Sequence, residues 1–175
     1  GIHFTHAGLV PAIHVFSGAI AMRVTIDQMP AMRVACLRHV GPYNQISSAF
    51  ARLGEIAGRA GLLAHPGALM LAMYHDDPES VAPDQLRSDA GVTLPEGAPL
   101  PDGLVEGRIA AGPYAHTTHV GPYSGLGDSW SRLMGEWLPA SGERVGEGEA
   151  FEVYAGSQMN TPPAELRTEL YLPLA

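Results

Sequence analysis

His39-Val40-Gly41-Pro42-Tyr43 recurs as His119-Val120-Gly121-Pro122-Tyr123, an offset of 80 residues. The same offset aligns Arg52-Leu53 with Arg132-Leu133, Tyr74 with Tyr154, Pro83 with Pro163 and Leu86-Arg87 with Leu166-Arg167. No gap interrupts the span. Several matches in one register indicate an internal duplication, so the chain reads as two copies of one supersecondary unit. Repeat 1 covers about 22–95, the turn-rich connector runs over 96–103, and repeat 2 covers about 104–175.

Each copy carries the same pattern. Residues 31–40 and 113–120 read as strands, and Gly-Pro-Tyr then turns the chain. An amphipathic helix follows. Ile46, Phe50, Leu53, Ala57 and Ala60 fall at helical spacing in the first copy, and Leu126, Trp130, Leu133 and Trp137 in the second. Further strands are expected at 68–75 and 88–94, then at 149–155 and 167–174, with leading strands at 22–27 and 104–110. The expected fold is α+β: an antiparallel sheet with its helices on one side.

Bulk chemistry narrows the function classes. The chain has 175 residues, 46% hydrophobic and 16% charged, which suits a folded domain with a sizeable core. Its net charge of −8 repels phosphate backbones and offers no basic cluster to anionic lipid, so neither nucleic acid nor membrane is an expected partner. The single cysteine, Cys36, precludes an intramolecular disulfide and suits a reducing, cytoplasmic setting, where it reads as a buried inert thiol. Residues 1–21 lack a basic n-region, and the apolar run Leu9–Ala21 is too short to span a bilayer. They read as an extension upstream of Met22 or the tail of a further N-terminal module.

Strand alternation suggests where a ligand would sit. Phe151 and Val153 point one way, and Glu152 and Tyr154 the other. Leu170 and Leu172 likewise oppose Glu169 and Tyr171. In the first copy, Leu71, Met73, Ala90 and Val92 are expected inward, and Ala72, Tyr74, Asp89 and Gly91 outward. The repeat is broken at two of these positions: Glu152 has Ala72 as its mate, and Tyr171 has Gly91. A carboxylate among phenols suits a cationic or proton-donating ligand. The charge pair is worth on the order of 4 kcal/mol at 4 Å and an effective dielectric constant of about 20, before desolvation. Each cation–π contact adds roughly 0.5–2 kcal/mol. Glu152 is therefore the candidate anchor. Tyr154, Glu169, Tyr171, Tyr74, Tyr114, Trp130 and Trp137 are candidate contacts. Glu169 and its mate Asp89 have a structural alternative, pairing with Arg167 or Arg87.

These motifs resemble the GyrI-like small-molecule-binding superfamily. The resemblance rests on the two His-Val-Gly-Pro-Tyr-helix units, Tyr74-His75-Asp76-Asp77-Pro78, Leu86-Arg87-Ser88-Asp89, Phe151-Glu152-Val153-Tyr154 and the run Pro162 to Leu174, and it covers about 22–175. It implies tandem βαββ-type halves with pseudo-twofold symmetry and a ligand cleft between them. It also implies a choice of roles: gyrase-inhibitory protein, effector-binding domain of AraC-type or MerR-type regulators, or hydrolase of cyclopropane-containing electrophiles. A cleft glutamate that receives lipophilic cations maps onto Glu152. In a hydrolase, Glu152 would activate water and a tyrosine, Tyr171, would polarise the leaving oxygen. No helix-turn-helix region is present in these residues.

Other constellations carry less. His39 and His119 sit at matching places and read as structural hydrogen bonds at the strand ends. His75-Asp76-Asp77 reads as turn chemistry before Pro78. There is no phosphate loop, Gly-x-Ser-x-Gly or HExxH motif, and no metal or cofactor is expected. Three readings follow, in order: a cytoplasmic binder of small amphipathic, cationic or aromatic molecules, a hydrolase using the same cleft, and an inhibitor of DNA gyrase.

Overall fold

The computed structural model describes residues 22–155 and 160–175. The expectation for residues 1–21 lies outside the described residues. Eight strands form: β1 (Thr25–Met29), β2 (Met32–Val40), β3 (Met70–Tyr74), β4 (Arg87–Thr93), β5 (Val105–Ile109), β6 (Gly112–Val120), β7 (Ala150–Ala155) and β8 (Arg167–Pro173). Each lies where the alternating apolar pattern placed it, within a few residues. The fold is α+β with antiparallel pairing.

The chain divides into two compact units. The first comprises Ala31–Ala110 with Glu149–Val153. The second comprises Ala111–Gly148 and Tyr154–Ala175, with the leading segment that ends at Pro30. The leading strands are exchanged between the copies. β1 pairs with β6 in the second unit, and its repeat mate β5 pairs with β2 in the first. Pro30 lies between β1 and β2, but β1 pairs with β6 and β2 with β4 and β5, so the two strands form no hairpin.

The Gly-Pro-Tyr turn is built identically in both units. Gly41 has φ 134° and Gly121 φ 129°, conformations that side chains with a Cβ rarely adopt. Gly41 N–H donates to the Leu86 carbonyl and Gly121 N–H to the Leu166 carbonyl, each at 2.8 Å. The expected strand-end histidine bonds are present: His39 Nε2 lies 3.1 Å from the Pro42 carbonyl oxygen and His119 Nε2 2.9 Å from that of Pro122.

Helix α1 (Ser47–Arg59) packs on β2 and β4 and buries Ala49, Leu53 and Ala57. Ile46 is buried at its N-terminal edge, whereas Phe50 is half-buried and Ala60 exposed. The second helix departs from the expected continuous helix. α2 (Leu126–Arg132) widens into a π-helical turn (Leu133–Trp137) before α3 (Leu138–Ser141). Leu138 N–H reaches back five residues, to the Leu133 carbonyl. Pro139 follows at once, and its ring and missing N–H disfavour an ordinary α-helical turn there. Leu133 and Trp137 are buried in the same stretch, while Leu126 and Trp130 are half-buried. Full burial of a side chain such as Leu53 or Leu133 contributes about 1.5–3 kcal/mol.

The alternation reading needs one correction. Met73 stands opposite Asp89, and Leu71 opposite Gly91. Leu71 and Met73 therefore share a face with Asp89 and Gly91. Ala90 and Val92 share the other face with Ala72, Tyr74 and Ser88. Alternation fixes the two faces of each strand, but the register between strands decides which faces coincide. Both faces are also largely buried: Ala72, Ala90 and Leu71 are all fully covered.

Candidate functional site

Tyr74 closes β3 and Glu152 lies within β7, both in the first unit. Glu152 is 2% exposed, against the solvated position a strand glutamate ordinarily takes. The Tyr74 hydroxyl donates a hydrogen bond to its carboxylate. A buried carboxylate needs such donors, because an uncompensated one is expensive to desolvate. Tyr43, the tyrosine of the first Gly-Pro-Tyr, sets the ring next to this pair. Its centroid lies 4.7 Å from that of Tyr74 at 52°. Its own hydroxyl donates to the Asp76 carbonyl at 2.6 Å and accepts from the Asp76 N–H at 3.0 Å. Asp76 is anchored by Arg87, whose Nε and Nη2 donate to its two oxygens at 3.0 and 2.8 Å. The Arg87 guanidinium holds the Asp76 carboxyl down at about 2.

The second unit repeats the aromatic pair. Tyr123 and Tyr154 lie 5.4 Å apart, edge to face. Tyr43 and Tyr123 were read only as turn residues; their equal spacing to Tyr74 and Tyr154 was the available signal. Ser88 stands cross-strand from Tyr74 on the same face. Its hydroxyl is fully buried and has no hydrogen-bond partner among the described residues, and the same holds for its repeat mate Thr168.

The remaining candidates group elsewhere. Glu169 and Tyr171 gather about His116 in the second unit. His116 Nε2 lies 2.6 Å from Glu169 and Nδ1 2.8 Å from Asp27. The Thr118 hydroxyl donates to Glu169 at 2.5 Å. The Tyr171 ring stacks on the His116 ring at 4.5 Å and 8°, and Tyr114 meets Tyr171 edge-on at 6.4 Å. Burial pulls the His116 pKa down, but Glu169 and Asp27 more than offset it, and the net shift is upward. Glu169 is held below the usual carboxylate range by His116 and Thr118, against the opposing effect of burial. Burial raises the Tyr171 phenol. Tyr114 is a core residue at 1% exposure. Trp137 is buried with its indole N–H unpartnered among the described residues, and Trp130 is half-buried on α2.

Asp89, the repeat mate of Glu169, holds a different histidine. His75 Nε2 lies 2.5 Å from Asp89 and its Nδ1 3.0 Å from Glu149. Arg38 Nε donates to Asp89 at 2.8 Å. The structural partner of Asp89 is thus Arg38 with His75, while Arg87 serves Asp76. The hydrogen bond to Asp89 raises the His75 pKa against burial. From sequence, His75 reads only as turn chemistry and His116 is passed over, although Cys36 against His116 is a broken repeat position of the same kind as Ala72 against Glu152. Cys36 is buried, and burial, with the nearby Asp89 charge, pushes its thiol up to about 12. Among the described residues, no group of three or more His, Cys, Asp and Glu side chains is placed to hold a metal ion.

Exchanged leading strands, a Gly-Pro-Tyr turn in each copy and a buried, phenol-bonded glutamate define a duplicated α+β small-molecule-binding domain. The chain belongs to the GyrI-like small-molecule-binding domain family, whose model matches residues 22–175. It is 27% identical over 159 residues to the probable transcriptional regulator YgiV of Escherichia coli K12, covering 89% of this chain and 98% of that one. It is 34% identical over 139 residues to the DNA gyrase inhibitor of Edwardsiella ictaluri, covering 76% and 86%. Among solved structures, the EcmrR C-terminal domain matches with a TM-score of 0.69 at 20% identity, over 88% of this chain and 98% of that one. Among the described residues no helix is long and apolar enough to cross a membrane.

Proposed function

We propose that this protein is a cytoplasmic receptor for small amphipathic molecules, cationic or aromatic, and that Glu152 is the anchor. The observation that carries this reading is the buried Glu152 carboxylate bonded to Tyr74, with the Tyr43 ring against Tyr74. A cation arriving there would meet the buried carboxylate and two phenol rings together. The unpartnered Ser88 hydroxyl on the same face offers a polar contact to a ligand. The test is calorimetric titration with a lipophilic quaternary ammonium dye and its neutral isostere. The cation should bind more tightly, and E152Q should remove that preference.

A second reading comes from the gyrase-inhibitor relatives. In it the protein acts on gyrase through its acidic surface, with no small molecule required. A supercoiling assay separates the two, because direct inhibition would be indifferent to E152Q. A hydrolytic role would draw on Glu152 with Tyr74 in place of the Tyr171 expected from sequence, which stacks on His116 instead, and would be seen as consumption of an electrophilic ligand, with turnover lost in E152Q.

A further inference from the structure

The two copies differ at three neighbouring positions on the face of the sheet opposite Tyr74. In the second unit this place is filled: the His116 and Tyr171 rings stack there, with Asp27 against the imidazole. In the first unit the equivalent positions are Cys36, Gly91 and Gly107. The pairing is equivalent too. Gly107 stands opposite Val34 as Asp27 stands opposite Tyr114, and Asp89 stands opposite Arg38 as Glu169 does opposite Thr118. Val34 and Cys36 lean over the two glycines. A Cβ on Gly91 would lie 2.5 Å from Val34 Cγ1, and one on Gly107 2.9 Å from Cys36 Sγ. This does not fill the space. A half-open cleft of about 430 Å³ remains, floored by Cys36, Met73 and Gly107 and walled by Arg38, Arg108 and His75 beside the carboxylates of Asp89, Glu106 and Glu149.

The polar groups around this cleft are unequally committed. Asp89 is engaged on one oxygen by Arg38 and on the other by His75. His75 is engaged on its second nitrogen by Glu149. Arg38 spends only Nε on Asp89, its terminal nitrogens make no hydrogen bond among the described residues, and its side chain is 48% exposed. The cleft therefore combines an apolar, sulfur-lined floor with unspent guanidinium donors at its wall. A planar guanidinium binds carboxylates in bidentate fashion and stacks on flat rings.

From the filled copy and the empty one together, we infer that this cleft is a second ligand site, for a small flat heteroaromatic acid. Its ring lies over Cys36 and Gly107, the positions that His116 and Asp27 take in the second unit, and its carboxylate meets Arg38. The site is separate from the Glu152–Tyr74 pair: it lies on the other face of β3 and β4, and it selects an anion where Glu152 selects a cation.

The experiment is a titration of the full chain with quinoline-2-carboxylate and with uncharged quinoline, followed by amide chemical shifts. Quinoline-2-carboxylate should bind the tighter of the two and move the amides of Cys36, Met73, Asp89 and Gly107. R38M should weaken it by at least about tenfold and abolish its advantage over quinoline. C36H, which restores the imidazole of the filled copy, should close the site to both probes. E152Q should leave binding intact, so this inference and the Glu152 assignment fail separately. Shifts confined to residues around Tyr74, equal affinity for acid and quinoline, or no response to R38M would each overturn it. Absence of binding at millimolar probe would overturn it too. R38M alters a half-exposed side chain, so it decides the matter even if C36H does not fold.

Discussion

Asp89 and Glu169 occupy the same place in the two repeats, and each binds an imidazole, but the imidazoles come from different strands: His75 follows β3 and His116 belongs to β6. Duplication preserved the carboxylate and let its partner move. Because both histidines have raised pKa values and both carboxylates lowered ones, the pairs make stability depend on pH.

The first prediction concerns that dependence. The histidine contribution is fully present below the ordinary imidazole value of 6.5 and is lost as pH rises through the raised folded values. The carboxylate contribution is present above the ordinary values of 3.8 for Asp89 and 4.5 for Glu169, and is lost as pH falls through the lowered ones. Thermal unfolding should therefore give its highest Tm between about pH 4.5 and 6.5. H116Q should flatten part of the decline at higher pH, and H75Q/H116Q most of the rest. A Tm that climbs steadily from pH 6 to 9 would refute the assignment.

A second prediction follows from the repeated turn. Gly41 and Gly121 hold φ values of 134° and 129° while donating to Leu86 and Leu166. G121A should destabilise the protein by roughly 1–3 kcal/mol, the cost of forcing a Cβ into that conformation. G142A probes an exposed αL position with open space around it. It should cost less, because no buried strand end depends on it. Denaturant unfolding compares the two directly.

Cys36 supplies a third. With its thiol pushed up to about 12 and its side chain buried, it should resist a disulfide reagent such as DTNB in the native protein at pH 8. One equivalent should react promptly in urea. Fast stoichiometric labelling of the native chain would contradict the buried setting.

A fourth tests the core. Leu53 and Leu133 are repeat mates, both fully buried on their helices. L53A and L133A should each cost about 2–5 kcal/mol. L133A lies in the π-helical turn, where relaxation toward an ordinary helix is hindered by Pro139, so the collapse that softens a cavity is less available there. Urea midpoints at unchanged m-values give both numbers.

Most of the fold was legible because the duplication doubles every signal. The strand at 31–40, ambiguous alone, is confirmed by its copy at 113–120, and the paired glycines mark where each strand must turn. Three things were not legible. The exchange of β1 and β5 depends on which neighbour completes the sheet, which no local pattern encodes. The register of β3 against β4 put Met73 and Asp89, expected on opposite faces, on the same face, since alternation carries no information between strands. The π-helical turn depends on how Leu133 and Trp137 reach the core together ahead of Pro139. At the site, Glu152 was legible as a break in the repeat. Its bond to Tyr74 was not, because the two residues lie 78 positions apart. Asp27, Cys36 and Gly107 break the repeat in the same way as Glu152, and comparing every mismatched pair would have found the second cleft.

The central claim is that the buried Glu152 carboxylate selects cations. The most direct measurement is the affinity of a lipophilic quaternary ammonium dye, relative to its neutral isostere, for wild type, E152Q and Y74F. The account predicts a cation preference of at least about tenfold in wild type, its loss in E152Q, and its retention in Y74F, which removes a competing donor but leaves the charge. Equal affinity for cation and isostere in wild type, or an unchanged preference in E152Q, would contradict it.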